Sequence, residues 1–343
     1  MGDPVESNRS QTLRQRIRRH SPLVPRKTYV GLAQAHHELT LRERHLQHVL
    51  EQRQLEHELE RRHLEHTFVT WVPPGHFYSP YPDLAEFDER ADELLSVDAA
   101  PAAIDLREEQ QLALFDELAE LLADVPFPVE RTDEFRYYFA NPAYSWSDAL
   151  VLHAMLRHVR PRRVVEVGSG YSSAMLLDTT ERWLEPGVEV TFVEPYPELL
   201  RNLLRKGDEE RVTILDVGVQ EVGLDVFTRL DNDDILFIDS THVVKAGSDV
   251  NHLFFEVLPA LVPGVLVHLH DIFFPFEYPA EWVREGRAWQ ENYLLRAFLM
   301  YNDAFEIEWF QSLMWARHRQ AIEAKVPDMA RNAGGNLWIR KVS

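Results

Sequence analysis

The chain contains no cysteine. Disulfides, thiolate nucleophiles and cysteine-bound zinc are therefore excluded. No apolar run is long enough to span a bilayer. The N-terminus carries arginines but lacks the apolar stretch of a secretory signal, and Glu6 stands where N-myristoylation needs Ser or Thr. Positive charge is scarce: 36 Lys and Arg face 56 Asp and Glu, a net charge of −20. Such a surface repels a nucleic-acid duplex. These absences predict a cytoplasmic protein with neither membrane nor nucleic acid as partner. The 343 residues suffice for one large core or two modest ones.

What is present centres on residues 163–197. A β-branched run, Val164-Val165-Glu166-Val167, meets a glycine turn, Gly168-Ser169-Gly170. Tyr171-Ser172-Ser173 then leads into a helix-like stretch, and a second strand-like run ends at Glu194. Strand, glycine turn, helix, strand, acid is the plan of a nucleotide-binding βαβ unit. The glycines let the backbone bend sharply and approach a ligand. The helix that follows starts with free N–H groups. A carboxylate at Glu194 can accept both hydroxyl protons of a ribose. Dinucleotides and S-adenosylmethionine (SAM) are both held this way. Ser173 occupies the position where a dinucleotide enzyme wants a third small residue.

In chain order, residues 1–27 are polar, Arg-rich and interrupted by Pro22 and Pro25, which predicts a disordered tail. Residues 28–67 predict one long helix with a thin leucine stripe, a coiled-coil pattern that would pair with a second copy or lie along the body. Its seven histidines lack the H-e-x-x-H spacing of a metal motif and read as a solvated face. Residues 68–130 form an aromatic accessory segment, a collar or lid, ending in an amphipathic helix over 106–124. A helix over 147–159 follows, with Ser145 and Asp148 at capping-box spacing and Tyr144 and Ser145 near its mouth. Further strands are expected at 211–215, 234–238 and 265–270. The last two, at 305–310 and 337–342, are expected as a hairpin-like pair. The βα steps imply a parallel sheet covered on both faces. His268 and His270 alternate along a strand and face one side.

The pieces EVGSGYSS (166–173), FVEPYPE (192–198), DILFIDSTH (234–242) and LVHLHDIFFPFEYP (266–279) resemble the class I SAM-dependent methyltransferases, in particular methyltransferase domain family 24. The resemblance covers 131–343. It implies an α/β, Rossmann-like, doubly wound sheet of seven strands with the last antiparallel, preceded here by the long helix and accessory segment. It implies that Gly168 and Gly170 hold the methionine part of SAM, with Ser169, Tyr171 and Ser172 beside them and Glu166 orienting the turn. Glu194 would take the ribose, and Asp216, Val217 and Gln220 would border the adenine. The spacing of Asp239 and Asp271 resembles the catechol-type enzymes, whose acids at these strand ends bind magnesium. The asparagine that completes that site is Ile272 here. Without the ion, Asp239 would serve SAM's ammonium group and Asp271 would fix the loop. His242 stands where that pattern places a lysine base, and an imidazole suits the task near neutral pH. His270 is a further ligand or base, or a structural residue.

The reading is methyl transfer from SAM to an oxygen of a small molecule or glycan, with Asp239 and His242 as the reacting groups of the protein. Three rivals are an inactive scaffold dimerising through the N-terminal helix, a nicotinamide-dependent oxidoreductase, and a hydroxylase-like relative of the same fold.

Overall fold

The computed structural model describes residues 71–98 and 100–343. The expected tail and long helix, and with them the helical pairing of two copies, lie outside the described residues. Residues 74–343 cluster as one unit.

Seven strands form one sheet: β1 (Arg163–Val167), β2 (Glu189–Val193), β3 (Thr213–Leu215), β4 (Ile235–Ile238), β5 (Leu266–His270), β6 (Phe305–Phe310) and β7 (Asn336–Lys341). Their order is β3-β2-β1-β4-β5-β7-β6. The first five are mutually parallel, and β7 runs antiparallel to both neighbours. The central strands are buried on both faces, so they read as runs of Val, Ile and Leu rather than alternating sequence. One core lies on each side. Helices Ser147–Val159 and Tyr171–Trp183 pack on the first, together with Phe115, Leu118 and Leu122 of helix Glu108–Ala123. The accessory segment thus contributes to the same core as the sheet. On the second side, a helix passes from Asp249–His252 through a π-turn, Leu253–Val257, to Leu258–Ala260.

Two expectations are corrected. Between β6 and β7 lies a helix, Gln311–Lys325, kinked at His318. It buries only Gln311, Leu313, Met314 and Ile322, so its sequence has no apolar stripe at helical spacing to reveal it. The capping box at Ser145 and Asp148 is not formed. Trp146 is the N-cap, with φ +44° and no side-chain cap. Asp148 instead accepts from Gly335 N at 2.9 Å and Asn336 Nδ2 at 2.7 Å, tying the helix to the start of β7.

The chain leaves β1 toward β2 and β3, then crosses to β4 on the other side of β1. Ligands of open α/β sheets bind at such a reversal, beyond the carboxyl ends of the strands. Val167 pairs with Ile238 at the ends of β1 and β4, which brings Gly168 against Asp239.

Candidate active site

Gly168 has φ +83°, and a Cβ there would stand 1.7 Å from the Asp239 carbonyl oxygen. Only glycine lets the turn after β1 sit directly on the end of β4. Glu166, wholly buried in β1, fixes the rest of the turn. Its Oε1 accepts from Ser172 Oγ at 2.6 Å and Ser173 Oγ at 2.9 Å, and the Ser173 hydroxyl in turn accepts from Gly170 N at 3.0 Å. Burial pushes the Glu166 carboxyl up to about 8, against the downward pull of the two hydroxyls. Its Oε2 has no hydrogen-bond partner.

A cavity of about 350 Å³ opens beside this turn, lined by Gly168, Glu194, Tyr196, Gln220, Asp239 and Lys245 among others. Glu194 caps the turn, with Oε2 accepting from Ser169 N at 3.0 Å and Oε1 from Tyr196 N at 2.8 Å. Gln220 donates to Gly247 O across the cavity rim at 3.0 Å. Ser169 and Ser240 hold buried hydroxyls with no partner. Asp216 and Val217 are not on the cavity wall. Asp216 is exposed and lies 3.5 Å from Arg201, and Val217 packs toward the second core. Ser172 is turned inward to Glu166, and Tyr171 meets the Tyr138 hydroxyl. Tyr144 is a core residue: its ring packs against Phe237 and His270 and its hydroxyl donates to Asp148 O. Ser145 accepts from Asn332.

Beyond β4 and β5 lies a second polar cluster. His242 Nε2 is 3.3 Å from Asp239 Oδ1 and 3.6 Å from Asp271 Oδ2, while its Nδ1 is 2.7 Å from Glu291 Oε2. His270 Nδ1 is 3.4 Å from Asp239 Oδ1 and 3.5 Å from Asp271 Oδ1, and its Nε2 is 3.8 Å from Asp148 Oδ2. Both imidazoles are buried, whereas Asp239 and Asp271 keep an opening to solvent. His242 and Asp271 both adopt left-handed backbone, at φ +59° and +55°. Such conformations cost roughly 1 kcal/mol or more and gather at functional sites.

Electrostatics follow from this packing. Burial alone would lower His242, but its bonds to Asp239 and Glu291 raise it to about 10. Burial also works against the charged form of His270, yet Asp239 and Asp271 raise it well above the usual imidazole range. Burial tends to raise Asp239, and the two imidazoles overcome that and hold it far below the usual carboxylate range. Burial dominates at Asp271, which is raised. His268, stacked on Phe237 at 4.0 Å, is pushed by burial well below the ordinary imidazole value and stays neutral.

The cluster's outer members, Glu291 and Asp148, carry no local sequence signal of their role, because each contact is made across the fold. Trp289 is a third such residue. Its ring lies 4.5 Å from that of His242, and it also lines a cavity of about 320 Å³ with Pro80, Pro82, Tyr278 and Tyr293. The collar and the loop after β5 therefore share a wall next to the cluster. His76 lines a separate groove with Phe77 and Tyr81. Among the described residues no helix is long and apolar enough to cross a membrane.

A family model described as a methyltransferase domain matches residues 165–272. An uncharacterized protein of Archaeoglobus fulgidus is 35% identical over 165 residues, which cover 46% of this chain and 73% of that one. Among solved structures, the O-methyltransferase TomG from Streptomyces achromogenes, in complex with SAM, is 15% identical. That alignment covers 75% of this chain and 96% of TomG, with a TM-score of 0.38. The methyltransferase PaMTH1 of Podospora anserina, bound to S-adenosylhomocysteine, is also 15% identical over 80% and 100% of the two chains, with a TM-score of 0.39.

Proposed function

The chain belongs to the class I methyltransferase family, and on that premise we propose that it transfers a methyl group from SAM to an oxygen of a small-molecule or glycan acceptor. The observation that carries the reading is the cavity where the glycine turn, Glu194 and Asp239 share one wall. SAM fits this wall chemically. It brings hydroxyls, an ammonium and a carboxylate, and the residues of the wall include Glu194, Asp239 and Ser240. Gly168, Gly170 and Ser169 would border the methionine part, Glu194 the ribose, and Gln220 the adenine. When bound, SAM supplies an electrophilic methyl on a good leaving group, so the protein's tasks are to position the acceptor and remove its proton.

The acceptor would lie between the cavity at Trp289 and the ends of β4 and β5. Tyr278, Trp289 and Tyr293 give that cavity flat walls suited to an aromatic or sugar ring. His242 is the proposed proton acceptor. Its Nε2 faces the two aspartates, and Glu291 behind Nδ1 stabilises the imidazolium formed on accepting a proton. The same carboxylates make His242 a strong base whose neutral form is scarce at neutral pH. Asp239 stands at the junction of cofactor cavity and cluster.

Calorimetric titration with SAM and with NAD tests the reading. The expected result is SAM binding, no NAD binding, and a SAM affinity about 10- to 100-fold weaker in Glu194→Ala, as for loss of hydrogen bonds to a charged group. Binding of NAD and not SAM would replace the methyltransferase reading with an oxidoreductase. Turnover is then read by an acceptor screen.

A further inference from the structure

The cavity that would receive the acceptor has two ends of different character. At one end the Trp289 ring lies 4.5 Å from the His242 ring. From there the lining rings step away from the histidine, with Trp289 and Tyr278 centroids 5.9 Å apart and Tyr278 and Tyr293 centroids 6.0 Å apart. Neighbouring rings stand nearly perpendicular, at 77° and 90°, so they bound the space on several sides rather than as one flat stack. At the far end the Tyr293 hydroxyl donates to Glu277 Oε2 at 2.8 Å, and Glu277 itself lines the cavity.

Glu277 lacks a counter-charge. The carboxylate is half-buried, and among the described residues it forms no ion pair, with Tyr293 as its hydrogen-bond partner. Burial raises Glu277 above the usual carboxylate range, against the downward pull of Tyr293 and of the more distant Arg296. A carboxylate desolvated in this way favours a ligand that brings the missing positive charge. The walls favour the same ligand. Faces of Tyr and Trp attract cations through the ring quadrupole, and rings set around one space recognise ammonium groups. The acid and the rings thus select one sign of charge independently.

The other charged residue on the cavity wall is Arg287, which would favour an anion if it were free. Its guanidinium is already engaged. Nε and Nη2 both donate to Glu285 Oε2, at 2.9 and 2.8 Å, and the group lies over the Trp282 and Trp289 rings at 4.1 and 5.1 Å. An anion would have to displace Glu285, whereas a cation meets Glu277 without displacing any charge. At about 320 Å³ the cavity is at the small end of ligand pockets, suited to one ring with a short side arm.

We propose that this cavity selects a hydroxylated ring carrying an aminoalkyl arm, with the ammonium seated between Glu277 and the faces of Tyr278 and Tyr293 and the ring against Trp289. As a statement of the acceptor class this rests on the methyltransferase reading; the charge preference of the cavity does not. A ring oxygen at the Trp289 end lies on the His242 side, and the amine, held at the opposite end, is kept away from the methyl group.

Full-length protein is titrated calorimetrically, without SAM, with three matched probes: tyramine, neutral para-propylphenol and anionic para-hydroxyphenylpropionate. Tyramine is expected to bind tightest, by about tenfold or more over either analogue, as for a hydrogen bond to a charged group. In Glu277→Gln, tyramine should fall to the affinity of para-propylphenol, while para-propylphenol itself is unchanged and so reports an intact cavity. The wild-type ranking needs no variant, so it decides the matter even if Glu277→Gln fails to fold. Three results overturn the proposal: no tyramine binding, a tyramine affinity no higher than that of either analogue, or an unchanged tyramine affinity in folded Glu277→Gln. Titration with SAM reads the methyltransferase claim separately. A tyramine preference without SAM binding would keep the cation-selective cavity and remove its role as an acceptor site, and SAM binding without a tyramine preference would do the reverse.

Discussion

Two buried charge clusters in this protein are built on opposite terms. Around Arg136, every contact is closed: its guanidinium meets Asp178, Asp208 and Glu181 at 2.7 Å each, and Asp178 also accepts from two backbone N–H groups. Around His242 and His270, the nitrogens facing Asp239 and Asp271 stand 3.3 to 3.6 Å away. The first cluster satisfies itself and locks the aromatic segment at 135–139 to helix Tyr171–Trp183. The second holds His242 through Glu291 at 2.7 Å but leaves both His270 nitrogens without a hydrogen bond. Buried polar groups are almost always paired, and the His270 nitrogens are exceptions to that rule.

Three measurements sharpen this contrast. Arg136→Met breaks the closed cluster and leaves Asp178 buried without a counter-charge, while Asp208 and Glu181 keep only Arg211. A loss of about 3–5 kcal/mol is expected, read by urea unfolding. A loss below about 1 kcal/mol would mean that the network contributes little and that its closure is incidental.

A histidine of the scaffold behaves oppositely to those of the site. Burial, helped by nearby Arg157, pushes His153 down to about 3, and its Nδ1 pairs with Thr179 Oγ1 at 2.9 Å. The unfolded chain therefore binds a proton between about pH 6.5 and pH 3 that the folded chain refuses. Its contribution to stability is full above pH 6.5 and falls as pH drops, by up to about 1.4 kcal/mol per pH unit. His153→Gln should flatten that part of the acid limb. An unchanged limb would show that His153 is not neutral in the fold.

The smallest effect belongs to the open cluster and has the reverse sign. Burial disfavours the charged form of Asp271, so Asp271→Asn should leave the protein as stable or up to about 1 kcal/mol more stable. Calorimetric melting checks it. A clear fall in melting temperature would make Asp271 a structural residue like those around Arg136.

The two halves of the site also differ in how far the sequence exposed them. The glycine turn is local: Glu166, Ser172, Ser173 and Gly170 form their network within eight residues, and Glu194 ends the next strand. Strand, turn and acid could be placed from spacing alone, and the βα alternation implied a parallel sheet, whereas the order of its strands came from the structure. Asp148 and Glu291 could not. Asp148 sits in the first turn of a helix, where an acid reads as a cap, but Gly335 and Asn336 claim it from the far end of the chain. Glu291 reaches His242 across 49 residues of sequence. Asp216 ends a strand just as Glu194 does, yet its strand is short and at the sheet edge, and solvent and Arg201 take the carboxylate.

The contact between Gly168 and the Asp239 carbonyl has one further consequence. A single residue presents its backbone to the cofactor turn and its carboxylate to both imidazoles. Whatever moves Asp239 at the turn is felt at the two imidazoles, and the reverse. Thermodynamics makes that influence mutual: the factor by which a ligand beside the turn changes the proton affinity of the imidazoles equals the factor by which their protonation changes the affinity for that ligand. The turn and the imidazole pair are therefore not independent, and ligand affinity at the turn has to be measured across pH.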